Sequence, residues 1–554
     1  MNPDTLTVQA LLNCLVREVS APEGQVREAD GHLLARLARS GRLLRLGTRR
    51  PSGGLGPRLA GDAALWCAGD WHPVGWERLA GLIADELTLA TGAPNDEFTG
   101  QVRNSHAAMT AIAAARQVNP AATGDPVLDR YLPSEQALLA GHRFHPAPKA
   151  RDGDPRGWLR FAPEAGARFP LRFLAVRADA LDAEGDAAGL DRLGGPPVPP
   201  GYHPLPAHPW QLSLLAQAPW LRRAFRDRLL LDLGDGTRDT VPTSSVRTVY
   251  DPVADLFCKF SLNVRITNCV RKNAWYELPG AVAMTGLLGP VFADLAARFP
   301  GTALLGEPGY RTVALPDEAA VEGLSVIVRQ GLREHLAPGV TPLLAAALTE
   351  PPAGHGNPAS RLLDGRDPDW LHGWWEAYVR TVAPPVLHAL FAHGVVLEPH
   401  LQNVLIGVDH EGLPAQAIFR DLEGAKLLTP DHDDFLAALK PGVARALGYD
   451  AERGWNRVAY CLFVNHLAEV AAAVADRQPY QAERAEAALW ERAGTVLTEF
   501  ARDHGWPPAL RALLAGVPLP AKANLRLRWA RGADRTAAYL PVRNPLAAQS
   551  AAPC

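Results

Sequence analysis

The sequence predicts an α+β protein of several domains, with helical N- and C-terminal parts around a central antiparallel β region. Three observations carry that expectation. Apolar residues near the N-terminus recur at helical spacing, polar and apolar residues alternate strictly from Phe257 to Thr267, and Leu397 to Gly424 reads as a second β-hairpin inside a helical C-terminal part. A chain of 554 residues can bury a large core and divide into two to four domains.

In chain order, Val8, Leu11, Leu12, Leu15, Val16 and Val19 mark a first helix, and Ser105 to Ala115 a second, so the first 140 residues read as mainly helical. From about 150 to 345, strand-like runs such as Phe173-Leu174-Ala175-Val176 accompany the hairpin, and Asp186 to Gly201 is a Gly/Pro-rich loop. Pro351 to Asp369, rich in Pro, Gly and Asp, is the expected domain boundary. The expected parts are therefore 1–150, 151–350 and 370–554, the last helical apart from a β element between about 400 and 424.

The central hairpin carries the chemistry. Phe260, Leu262, Val264 and Ile266 alternate with Lys259, Ser261, Asn263, Arg265 and Thr267, so one face is apolar while the other offers an ammonium, a guanidinium, an amide and two hydroxyls. Upstream, Pro242 to Tyr250 reads as the partner strand, with Thr243, Ser245 and Arg247 on one face and Asp251-Pro252 as the turn. Cations and hydroxyls gathered on one face suit a polyanion such as a nucleotide triphosphate. Arginine supplies 50 of the 56 basic residues (56 − 6 lysines), so Lys149, Lys259 and Lys272 stand where a compact point charge is of use.

The second hairpin begins Leu397-Glu398-Pro399-His400-Leu401-Gln402-Asn403, turns at Asp409-His410-Glu411-Gly412, and returns through Phe419-Arg420-Asp421-Leu422-Glu423-Gly424. Asn403 before one strand and Asp421 after its partner fall at the same end of the ribbon, where hard oxygen ligands can hold Mg²⁺ against phosphates. Protein kinases place a catalytic-loop Asn and a later Asp on a similar ribbon. A third cluster, Gly141-His142-Arg143-Phe144-His145-Pro146-Ala147-Pro148-Lys149-Ala150-Arg151, is a compact cationic patch suited to a small polycarboxylate.

Composition narrows the classes. A hydrophobic content of 47%, a charged content of 21% and a net charge of −3 give no electrostatic case for nucleic acid or an anionic membrane. No run of 18 or more apolar residues occurs, and Met1-Asn2-Pro3-Asp4 lacks the basic start of a secretory signal. Six scattered cysteines with no CxxC pair point to reduced thiols in the cytoplasm.

In the order GHRFHPAPKARDG, HPWQ, PTSSVRTV, KFSLNVRITNCVRKN, EPHLQN and RDLEG, the chain resembles the IucA/IucC-type siderophore synthetases, which work independently of peptide-synthetase assembly lines. The resemblance covers most of residues 135 to 430 and returns at Tyr539-Leu540-Pro541-Val542-Arg543-Asn544-Pro545-Leu546. It implies a cupped hand of thumb, fingers and palm, commonly dimeric, with ATP between fingers and palm. It also implies a ligase that adenylates a carboxylate of citrate or a citrate-derived product and passes the acyl group to an amine or hydroxyl, releasing AMP and pyrophosphate.

By the same resemblance Ser245, Arg247 and Thr248 grip the triphosphate, and Lys259, Arg271 and His400 reach phosphates near the reacting centre. Asn403 and Asp421, with Glu423, ligate Mg²⁺. His145, Thr267, Arg271, His400 and Gln402 hold substrate carboxylates, supported by Lys149 and Arg151. The family commonly has Pro where this chain has Arg143, which leaves the role of His142 open.

Two other readings fit parts of the pattern. A small-molecule phosphotransferase with a kinase-like ribbon would release ADP, although neither a Walker A sequence nor a kinase Gly-rich loop with its β3 lysine motif occurs. A catalytically silent carboxylate-binding protein would form no AMP.

Overall fold

The structure, a computed structural model, describes residues 2–50, 55–116, 122–266, 269–350, 358–478, 482–532 and 538–549. Asn2 caps the first helix by accepting the Asp4 N–H, and Pro3 occupies its first turn, so Pro3–Leu15 forms where the helical spacing predicts it.

Beyond that helix the chain departs from the expectation of a mainly helical first 140 residues. Val26–Ala29, His32–Arg36, Leu43–Arg50, Arg58–Cys67 and Asp70–Pro73 form a five-stranded antiparallel meander in sequence order. The signal for it is local: Asp30 and Gly31 both adopt positive φ, as a two-residue hairpin turn requires, and Leu33, Ala35, Leu44 and Leu46 alternate inward. Helices Trp76–Thr91 and Glu97–Ala115 complete this part. Its core takes in Leu525 and Trp529 from the C-terminal helix Asn524–Trp529.

The predicted central β region is, among the described residues, an eight-stranded antiparallel sheet. Its strands lie in the order Leu181–Gly185, Gly309–Val313, Val326–Gln330, Leu256–Phe260, Thr248–Asp251, Leu230–Pro242, Phe169–Arg177 and Tyr202–Ala207. The predicted second hairpin pairs Val404–Val408 with Pro414–Arg420 in a four-stranded sheet, flanked by Thr341–Leu344 and by Thr302–Leu305, which runs parallel to its neighbour. Long helices Pro368–His393 and Ala482–Asp503 pack over it with the helical stretch Ala451–Ala475. The α+β class therefore holds.

The two sheets are joined by Gly306-Glu307-Pro308, where the chain leaves one sheet at Leu305 and enters the other at Gly309. Glu307 is thus carried to the seam. Glu277–Arg298 and Ala451–Ala475 are long and apolar enough to cross a bilayer by length and composition, although the latter is largely buried inside the protein.

Candidate active site

The hairpin Thr248–Asp251/Leu256–Phe260 forms around Asp251, whose Oδ1 accepts the N–H groups of Val253 and Ala254 at 2.9 Å. Leu256–Phe260 lies inside the eight-stranded sheet, so it is buried on both faces and Lys259 is 1% exposed. The expected division into an apolar and a polar face survives only beyond the break at Ser261, in Leu262–Ile266.

The expected partner strand is also corrected. Pro242 ends one strand and Thr248 begins the next, while Thr243 to Arg247 form a tight turn with Val246 at φ +67°. A β-branched residue with positive φ is rare, and here its side chain is buried in the sheet core. Thr243, Ser245 and Arg247 consequently do not share a strand face. Thr243 Oγ1 donates to Thr248 O at 2.9 Å across the turn, and Thr248 Oγ1 reaches Ser245 Oγ at 3.4 Å. The Arg247 guanidinium bridges Asn273 and Glu423, with Nη2 at 2.6 Å from Glu423 Oε2.

In the other sheet, Arg420 N–H donates to Asn403 O at 3.1 Å, which puts Asn403 and Asp421 at one end of the ribbon as predicted. Asp421 has φ +75°, a conformation that aspartate tolerates and that turns the chain sharply at the strand end. Its Oδ1 receives Lys259 Nζ at 2.5 Å and lies 3.4 Å from Arg329 Nη2. Lys259 Nζ is also 3.2 Å from Glu423 and 3.8 Å from Glu307, and Arg329 bonds Glu307 Oε1 at 2.6 Å. Three cations thus interleave with three carboxylates at the seam of the two sheets.

Burial pushes the Asp421 and Glu423 carboxyls up, but Lys259 with Arg329 and Arg247 for Asp421, and Lys259 with Arg247 for Glu423, outweigh it. Both groups stay below the usual carboxylate range. Glu277 behaves oppositely: burial and the neighbouring Glu423 push its carboxyl up to about 8. Burial brings Lys426, whose ammonium donates to Glu423 O, down to about 8. His400 is held neutral mainly by burial, despite Glu398 and Asp421 nearby. Among these oxygens Glu307 Oε2 is buried without a hydrogen-bond partner. The hard donors Asp421, Glu423, Glu307 and Asn403 suit a magnesium ion.

The 141–151 loop is anchored by different partners. His142 Nε2 lies 3.1 Å from Asn465 Nδ2 and 3.3 Å from Tyr460 Oη, while Asn465 Oδ1 accepts the Leu401 N–H at 3.2 Å. Asn465 therefore ties the GH-x-x-HP loop to the EPHLQN loop. His145 is buried, its Nδ1 accepting the Ala147 N–H at 3.1 Å. Lys149 Nζ and Arg151 Nη2 both lie 2.5 Å from Glu164 Oε1 and are buried with it, so two cations share one carboxylate. Arg143 extends to Glu469 at 2.9 Å, on the wall of a cavity of about 330 Å³ that neither Lys259 nor Asp421 lines.

Lys259, Arg247, Asp421 and Glu423 are thus in direct contact, Asn403 stands at the same hairpin end, Ser245 lies in the adjoining turn and Thr248 follows it. Arg271 is half-buried on the short strand Cys269–Arg271, opposite Leu262. Gln402 accepts from Arg420 through its carbonyl at 2.9 Å. Thr267 lies outside the described residues.

Sequence reading missed Glu307, Arg329, Glu277 and Glu135. An arginine inside the apolar run Val326-Ile327-Val328-Arg329 is the available signal for one of them. Glu135 is fully buried, bonds Arg420 Nη1 at 2.5 Å and accepts from Ser244 Oγ at 2.9 Å, so it stitches the 243–247 turn to the second hairpin.

Residues 130–350 match the IucA / IucC family, and residues 372–537 match the family described as ferric iron reductase FhuF-like transporter. The solved structure of ATP-bound aerobactin synthetase IucA from a hypervirulent pathotype of Klebsiella pneumoniae superposes with a TM-score of 0.84, at 27% identity, over 99% of each chain. The chain is similar to this synthetase along its whole length, and residues 130–350 carry the IucA / IucC family match.

Its relatives extend the likeness along the whole length. The rhizobactin siderophore biosynthesis protein RhbC of Rhizobium meliloti is 29% identical over 98% of both chains. The L-2,3-diaminopropanoate–citrate ligase of Staphylococcus aureus is 29% identical over 73% of this chain and 72% of its own. In this chain the seam between the two sheets is the candidate site.

Proposed function

We propose that this chain is an ATP-dependent ligase of siderophore biosynthesis that adenylates a carboxylate of citrate, or of a citrate-derived product, and transfers the acyl group to an amine or hydroxyl. The observation that carries the reading is the contact of Lys259 with Asp421: cations from one sheet meet oxygen donors from the other within 2.5 Å. The ATP-bound relative and the citrate ligases among the curated relatives support it.

In the first half-reaction a carboxylate oxygen attacks the α-phosphorus and pyrophosphate leaves. Both partners are anionic, so the residues' main task is to neutralise and align them. Asn403, Asp421 and Glu423 would hold Mg²⁺, which supplies charge neutralisation to the phosphates. Lys259 and Arg247, which stand against those carboxylates, would supply positive charge to the phosphate oxygens. Ser245 and Thr248 at the turn offer hydroxyls to the triphosphate, and neutral His400 offers a ring N–H. His145, Thr267, Arg271 and Gln402 are proposed to hold substrate carboxylates, and Lys149 and Arg151 to support the loop from behind through Glu164. In the second half-reaction the amine attacks the acyl carbon, AMP leaves and the amine gives up a proton.

We further propose three parts, 1–150, 151–350 and 370–554, as thumb, fingers and palm, with the nucleotide between the last two. The decisive experiment incubates the protein with Mg-ATP, citrate and a panel of amines. Citrate-dependent pyrophosphate exchange and AMP formation are expected. ADP in place of AMP would point to phosphotransfer, and no turnover with any carboxylate would sink the proposal.

A further inference from the structure

Asp294 stands near the end of helix Glu277–Arg298, and His388 and His393 occupy the last turns of helix Pro368–His393. His388 Nε2 and His393 Nε2 converge on the same oxygen, Asp294 Oδ2, at 3.1 and 2.9 Å, and all three atoms lie within 4.8 Å of one another. The other oxygen, Oδ1, is held by Arg298 Nε at 2.8 Å, which fixes the carboxylate's orientation.

A hydrogen-bond chain behind His388 sets the ring protons. Phe500 O can only accept, so His504 Nδ1, 2.9 Å away, carries a proton. With that tautomer His504 Nε2 is the acceptor for His388 Nδ1 at 2.8 Å. In the same tautomer His388 Nε2 points its lone pair at Asp294 Oδ2, 3.1 Å away. That arrangement is repulsive unless a proton or a metal cation stands between the two atoms.

We propose that Asp294, His388 and His393 bind a divalent transition-metal ion of the zinc class, with His504 as the outer partner that orients His388. Two imidazoles and a carboxylate form a borderline donor set that favours zinc over magnesium or calcium. Ligand atoms around a tetrahedral zinc stand about 3.4 Å apart, somewhat wider than the 3.1 and 2.9 Å between the two imidazole nitrogens and Asp294 Oδ2. The partly exposed side of Asp294 and His393 leaves the fourth position to water. The ion ties the two helices together. Asp294 lies 17 residues along its helix from Glu277, a rise of about 26 Å, so the site is distinct from the nucleotide seam.

The test uses the full chain without a histidine tag, stripped with a chelator, dialysed and titrated with zinc chloride in a calorimeter. One zinc per chain is expected. Asp294→Asn and His393→Gln, both at partly exposed positions, are each expected to weaken binding at least about 100-fold, and His504→Gln by about 10- to 100-fold. Asp421→Asn is expected to bind zinc unchanged. Cobalt substitution should give visible absorption bands in the wild type that vanish in His393→Gln. Absence of stoichiometric zinc in the wild type, or wild-type affinity in both folded ligand variants, overturns the proposal. Loss of zinc in Asp421→Asn also overturns it.

Discussion

Lys259 Nζ and Asp421 Oδ1 lie 2.5 Å apart, although 162 residues separate them in the chain. Lys259 comes from the middle of the eight-stranded sheet and Asp421 from the end of a hairpin in the four-stranded sheet. Their contact makes one electrostatic unit of two sheets, and Glu307, on the segment joining the sheets, completes it.

Lys259→Ala and Asp421→Ala are each expected to abolish adenylation, read as citrate-dependent pyrophosphate exchange. Wild-type AMP release from either variant defeats the site assignment. The two substitutions differ in stability. Removing Lys259 leaves three carboxylates at the seam without their central cation and is expected to cost about 3 kcal/mol. In Asp421→Ala, Lys259 keeps Glu307 and Glu423 as partners, so the cost is smaller. Urea denaturation of both variants checks the order.

Arg247→Lys keeps the charge but cannot bridge Asn273 and Glu423 with two arms of a fork. The KM for ATP is expected to rise about tenfold, equivalent to about 1.4 kcal/mol, with a smaller change in kcat. Unchanged KM would remove Arg247 from the nucleotide contacts.

Glu135→Gln takes the carboxylate from buried Arg420. An unpaired buried guanidinium is expected to cost about 3–5 kcal/mol, visible as a large fall in Tm. A loss below about 1 kcal/mol would mean that the 243–247 turn is held to the hairpin by other contacts.

Glu277 provides a test by pH. Its folded carboxyl sits at about 8, above the ordinary 4.5, so between those values the folded state holds a proton that the unfolded state has released. Stability from this group therefore falls as pH rises from 4.5 to 8. Asp421 and Glu423 have the opposite sign: their depressed carboxyls stabilise above the ordinary carboxylate range, and that stability is lost as pH falls toward the folded values. Glu277→Gln should therefore gain on the wild type more at pH 8 than at pH 5 in urea midpoints. An equal gain at both values contradicts the assignment.

Asn465→Ala removes the side chain shared by His142 and the Leu401 N–H. The expected result is a raised KM for the carboxylate with near wild-type Tm. A normal KM would mean that the two loops hold their positions without it.

Much of the geometry of the candidate site was legible in sequence because it is encoded locally. The Asp409–Gly412 turn and the apolar runs on either side of it place Asn403 and Asp421 at one end of a ribbon, and Asp251 closes the other hairpin through its own side chain. The meander at 26–73 carries its own turn signal at Asp30-Gly31 and was legible in principle. The positive φ of Val246 was not, because its side chain is buried in a core built from distant strands and the turn is tied down by distant Glu135. Nor does any local pattern say that Lys149 and Arg151 meet Glu164, or that Arg420 meets Glu135.

The sequence by itself determined the α+β class, the two hairpins and the residue types that can handle phosphate and metal. The tertiary structure alone decided which carboxylate faces which cation. Strand period and turn chemistry are properties of neighbouring residues, whereas a buried charge is matched by whatever distant segment the packing of the sheets brings against it.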